Sequence, residues 1–185
     1  MSADILEQAF ASTAKVLANL QPGNLDQPTP CASWKVRDLV NHIVGGTYFF
    51  ATTAETGQAP GQSGIDHSAG DVQAQFAEGA QKAVAAFRAP GAMEKTMKLP
   101  FGELAGSTFV MIAATDTFAH GWDLANALGI STDLDPAVAE QLLSLSMIPD
   151  EFRGPDGAAP FGPKVDVSDS ACAADRLAGY LGRHP

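Results

Sequence analysis

The chain has 185 residues, 45% of them hydrophobic, enough for one sizeable core and too few to make two full domains the first expectation. Eleven Lys and Arg against 21 Asp and Glu leave a net charge of -10 with no basic run, which argues against a phosphate-backbone partner or an anionic membrane surface. Cys31 and Cys172 lie far apart and outside any C-x-x-C or Cys/His spacing, and the start "MSADILEQAF" lacks the pattern of a signal peptide. No stretch reaches the roughly 18 apolar residues of a membrane span, so a cytoplasmic protein without disulfides is expected.

Ile5, Leu6, Ala9, Phe10, Val16, Leu17 and Leu20 recur at helical spacing and predict a first helix over residues 3–20, with Ser2 as N-cap and "QPGN" as its end. The connector "LDQPTPCAS" leads to Ser33, the expected N-cap of a second helix from Trp34 to about Glu55, stopped by Gly57. A loop, "GQAPGQSG", precedes a third helix from about Ser68 to Phe87, and "APGA" breaks it. The stretch "MEKTMKLPFG" reads as extended chain. Next comes the most apolar segment, Leu104 to Ile130, expected as a fourth helix from near Ser107 to Gly129. Asp135 and Pro136 form an N-cap and N1 pair opening a short helix to about Met147. The remainder reads as an irregular tail, with one short strand around Lys164 to Val167 and a final amphipathic turn or two at Ala171 to Leu181. Helices dominate and the alternating strand period is nearly absent, so the fold expected is an all-α four-helix bundle with a short extra helix. A single domain would span 1–185, with a bundle core of about 2–148 and a C-terminal extension of about 149–185.

Between Leu104 and Ile130 the only ionisable side chains are Asp116, His120 and Asp123. At about 100° per residue they fall within about 60° of one another, on the stripe that carries Phe109, Ile112 and Ala127. A helix apolar nearly all round belongs at the centre of a bundle, so this polar stripe should be buried. A buried carboxylate needs a partner or a metal, and no Lys or Arg on this helix supplies one. An Asp four residues before a His places two donors one turn apart, the spacing at which i, i+4 pairs chelate a cation. A third donor would come from another helix, and His42 is the candidate, since His67 lies in a loop and His184 in the final dipeptide. His42 shares its side of the helix with Leu39, Gly46 and Phe49, and Gly45 and Gly46 remove bulk one turn away.

Each residue also has a plainer reading. A lone His42 is more often a hydrogen-bonded boundary residue, and Arg37 or Lys82 from a neighbouring helix could satisfy the Asp116–His120 pair without metal. Asp123 suits a partner that holds a histidine tautomer, or a structural acceptor, and Asp38 has similar status. Trp34 and Trp122 read as packing anchors and Cys31 as a small buried hydrophobe.

The segments "TPCASWKVRDLVNHIVGGTYFF" and "DTFAHGWDLANALG" resemble the DinB-like superfamily of metal-binding four-helix bundles. More narrowly, the chain is similar to the actinobacterial group related to mycothiol-dependent maleylpyruvate isomerase, including its tail "FGPKVDV…ADRLAGYLGRHP". The resemblance implies a metal held by a histidine on the second helix and an acid-x-x-x-His pair on a later one, which map onto His42, Asp116 and His120. The isomerase has glutamate at the place of Asp116 and an additional C-terminal domain that the residues after Ile148 are too few to supply in full.

Three N/O donors with an open position suit a catalytic divalent transition metal, zinc first, with nickel and others also fitting such donors. The resemblance implies a mycothiol-like, low-molecular-weight thiol as cosubstrate and an electrophilic substrate, with thiol transfer or thiol-assisted isomerisation as the outcome. The rival expectations are a metal-water hydrolase, which needs no thiol, and a metal- or thiol-binding protein without turnover. Either a monomer or a homodimer is compatible with the sequence.

Overall fold

The computed structural model describes residues 3–31, 33–61, 63–145, 148, 150–155 and 161–185. Helix α1, Asp4–Leu17, buries the expected stripe of Ile5, Leu6, Ala9, Phe10, Val16 and Leu17. Its predicted cap Ser2 lies outside the described residues, and Ala3, which precedes the helix, offers no side-chain cap. Helix α2 is Val36–Thr56, two residues later than expected. Its N-cap is Lys35, whose backbone N–H donates to Asp38 Oδ2 at 2.9 Å. Ser33 is displaced because Thr29 Oγ1 donates to the Trp34 carbonyl and the Trp34 N–H to the Cys31 carbonyl, folding the connector into a turn before the helix begins. Gly57, at φ 77°, ends α2 as predicted, since the left-handed conformation costs glycine no Cβ clash.

Helix α3, Val72–Arg88, begins later than Ser68 because Asp71 is the true cap, accepting from the Ala74 N–H at 3.0 Å. Residues His67–Ala69 form a separate 3₁₀ turn capped by Asp66. The stretch read as extended chain pairs with the segment after it: β1, Thr96–Leu99, and β2, Gly102–Ala105, make an antiparallel hairpin. Helix α4, Gly106–Ala127, is central as its composition demands, burying Phe109, Val110, Phe118, Trp122 and Leu124. Helix α5, Pro136–Leu145, starts where expected, with Asp135 Oδ1 accepting from the Ala137 and Val138 N–H groups. Its expected end at Met147 lies outside the described residues. Helix α6 is Ala173–Tyr180. No strand forms at Lys164 to Val167 among the described residues; the extended chain there docks on α6 through a Val165 N–H to Gly179 carbonyl bond of 2.9 Å.

Around the bundle, α1 packs on α4 and α3, and α2 packs on α3 and α4, so α1 and α2 stand diagonally opposed. The connector 18–35 therefore crosses one end of the bundle. Phe49 of α2 meets Phe109 of α4, while His42 meets His120, so the two helices run antiparallel and the N-terminal turns of α2 face the C-terminal turns of α4. Helix α6 rests on α5 and α4, anchored by Trp122 Nε1 donating to Asp175 Oδ1 at 2.8 Å. The fold is thus mostly helical, with one small two-stranded sheet among the described residues.

Candidate metal centre

His42 lies in the second turn of α2 and Asp116 and His120 one turn apart on α4, and the antiparallel packing brings all three to the end crossed by the connector. His42 Nε2 stands 3.3 Å from Asp116 Oδ1, and His120 Nε2 stands 3.6 Å from the same oxygen. One donor atom from each residue lies within 4.8 Å of the other two. Three donors at about 2.0–2.1 Å from one tetrahedral cation are about 3.3 Å apart, so the two histidine–carboxylate separations suit a divalent metal. The side chains of His42 and Asp116 remain 37% and 30% exposed and His120 only 13%, so the carboxylate and one imidazole border solvent while the other imidazole is enclosed.

Behind His120 lies a fully buried carboxylate. His120 Nδ1 stands 2.9 Å from Asp123 Oδ2, and Arg183 donates to Asp123 through Nε at 3.1 Å and Nη2 at 2.8 Å. With Asp123 ionised between a guanidinium and an imidazole, the proton on His120 belongs on Nδ1, which leaves the Nε2 lone pair turned toward Asp116. Burial is the largest single influence on Asp123 and pushes its pKa up. The hydrogen bonds from His120 and Arg183, with the charge of Arg183, outweigh it and hold the carboxyl down to about 2. Asp116 is likewise held at about 2, burial being overcome by the charges of His42 and His120. Burial works against a charged His42, but Asp116 beside it raises the imidazole above its ordinary value.

The other sequence candidates fall into place around this centre. Of the two roles open to Asp38, the structure shows that of structural acceptor, serving the α2 N-terminus. Trp122 is a buried anchor. Trp34 is more than one: its ring centroid lies 4.9 Å from that of His42 and 5.6 Å from that of His120, covering both imidazoles from the connector. Cys31 is half-buried rather than buried, with its thiol donating to Asp123 Oδ2 at 3.4 Å. Cys31, His120 and Asp123 also bring three donor atoms within 4.8 Å. That second group suits a cation less well, because Asp123 is already engaged by the positive Arg183. Arg37 and Lys82 bind Asp26 and Glu78 instead of the Asp116–His120 pair. His67 is buried away from the centre, in a 3₁₀ turn, its Nδ1 2.7 Å from Gln75 Oε1. A Cβ at Gly45 would stand 3.7 Å from this ring, an ordinary contact, so His67 does not require the missing bulk there.

Arg183 and the wall formed by Trp34 were not found from the sequence. Trp34 has a local signal, an aromatic residue two positions before the helix that carries His42. Arg183 is separated from Asp123 by 60 positions, and only the general need of a buried carboxylate for a cation pointed to something of its kind.

The molecule is a helical bundle with two histidines and one carboxylate gathered at one end. Residues 6–125 match the model of the family described as mycothiol maleylpyruvate isomerase N-terminal domain, and the chain belongs to that family. Two relatives, the uncharacterized proteins MT0763 and Rv0738 of Mycobacterium tuberculosis strains CDC 1551 / Oshkosh and H37Rv, are each 38% identical over 181 residues, covering 96% of this chain and 94% of theirs. Among solved structures, a DinB-like protein from Bacillus subtilis superposes with a TM-score of 0.53 at 13% identity, over 80% of this chain and 94% of that one, a likeness of fold.

Proposed function

We propose that His42, Asp116 and His120 hold a divalent transition metal, zinc first, and that the protein uses a mycothiol-like thiol as cosubstrate in thiol transfer or thiol-assisted isomerisation. The observation that carries this reading is the convergence of two imidazole Nε2 atoms on one carboxylate at 3.3 and 3.6 Å, with the carboxylate side open to solvent. Membership of a family named for a mycothiol-dependent isomerase supports the choice of cosubstrate. A metal bound there would supply a Lewis acid that lowers the pKa of a ligated thiol and holds it as thiolate at neutral pH.

The chain's own residues supply the rest. Asp123 and Arg183 fix the orientation and tautomer of His120, so its Nε2 is presented without a rotamer search. Trp34 covers the two imidazoles and shields them from water on the connector side. Because Arg183 follows α6, the bundle and the C-terminal extension act as one unit on this reading.

The test is consumption of an electrophile with and without mycothiol. We expect turnover only with thiol, and its loss in His120→Ala. Turnover without thiol would transfer the centre to the hydrolase reading, in which bound water is the nucleophile. Tight metal binding with no turnover of any electrophile would favour a binding protein.

A further inference from the structure

The charges and walls of the centre restrict what can approach it, and this inference rests on the thiol reading above. The cation that acts on Asp116 from elsewhere in the chain is Arg183. Its guanidinium pairs with Asp123 through Nε and Nη2 and donates from Nη1 to the Leu181 carbonyl at 3.2 Å. Lys35 and Arg37, at the start of α2, share the one Asp26 charge at the surface. Asp123 and Arg183 cancel, so with a divalent cation, the Asp116 carboxylate and one thiolate the charges sum to zero. Among the described residues the cation at the centre is thus Arg183, already paired with Asp123, in a molecule whose net charge is -10.

The walls are apolar. Trp34 stands over the imidazoles on one side. On the other, the side of α2 that carries His42 continues through Gly46 to Phe49, and the stripe of α4 that carries Asp116 continues through Ile112 to Phe109. These stripes meet, since the Phe49 and Phe109 rings lie 6.3 Å apart. Ile112 is 37% exposed and Phe49 half-buried, so an apolar shelf begins one turn from Asp116 with solvent access.

We propose that the electrophile served by this centre is an uncharged, apolar molecule rather than a carboxylate, bound between Trp34 and the shelf of Ile112 and Phe49. For an enone the step balances without a further reactant. The thiol sulfur forms a bond to the β-carbon, the C=C π bond breaks, and the proton released from the thiol ends on the α-carbon.

The experiment compares two enones with one reacting carbon, benzylideneacetone and its para-carboxylate, using mycothiol and metal-loaded protein. We expect kcat/KM at least tenfold higher for the neutral compound. Trp34→Ala should erase most of that advantage at unchanged metal content, and Ile112→Lys should improve the carboxylate. As a readout apart from turnover, calorimetry with the unreactive saturated ketone 4-phenylbutan-2-one should show at least tenfold tighter binding than its para-carboxylate, and Trp34→Ala should abolish the difference. Equal or better binding and turnover of the carboxylates in the wild type would overturn the inference while leaving the thiol reading intact. Consumption of neither enone above the metal-free background would overturn the thiol reading itself, and this inference with it.

Discussion

Asp123 shows how much of the centre rests on a residue that would touch no metal. Its carboxylate joins an imidazole from its own helix to a guanidinium beyond α6, with its side chain fully buried. Asp123→Asn would free His120 to turn and strand the Arg183 charge in the interior. Metal affinity should fall about 10- to 100-fold and stability by roughly 3 kcal/mol. Competition with a chromophoric chelator reads the first and denaturant unfolding the second; an unchanged affinity would contradict the role assigned to it. At this scale the Asp116–His120 pair was legible because i, i+4 spacing on one helix is fixed by local geometry. Placing His42 beside it took helix packing, and Trp34 over both took the path of a connector, neither of which periodicity encodes.

The helices meet closely where glycine allows it. A Cβ at Gly121 of α4 would stand 2.5 Å from Thr13 Oγ1 of α1, and that hydroxyl donates to the Thr117 carbonyl at 3.0 Å. Gly121→Ala should therefore force α1 from α4 and cost about 1–3 kcal/mol, read as a lower denaturant midpoint at unchanged slope. A midpoint equal to wild type would show that the contact yields freely. Elements with local signals were legible: the stripe of α1, the apolar run of α4, and the Asp135–Pro136 start of α5. Starts set by tertiary contacts were not. Ser33 lost the capping of α2 to a turn tied by Thr29, and Thr96–Leu99 became a strand because Gly102–Ala105 pairs with it, a pairing too short to show as alternation. The expected strand at Lys164 to Val167 failed for the converse reason, since its neighbour is a helix.

For the whole molecule, the depressed carboxyl of Asp123 links stability to acid. Its pKa falls from an ordinary 3.8 to about 2 on folding, so its contribution is complete above the unfolded value and is lost as pH drops through the folded one. On the order of 2 kcal/mol should disappear between about pH 4 and pH 2. Acid titration of unfolding free energy should show this slope in the wild type and a shallower one in Asp123→Asn; identical slopes would assign the acid sensitivity elsewhere. The bundle as a class was readable from helical periods alone, but its ring order was not. The diagonal placement of α1 and α2, which sends Trp34 and Cys31 across the site, depends on which faces pack together.

The most direct measurement is the metal content of untagged protein purified without chelator, by elemental mass spectrometry, beside the His42→Ala, His120→Ala double variant. Near one equivalent of a divalent transition metal in the wild type and none in the variant is the result this account predicts. No metal in the wild type after reconstitution, or equal metal in both, would contradict it and leave His42, Asp116 and His120 a hydrogen-bonded polar cluster.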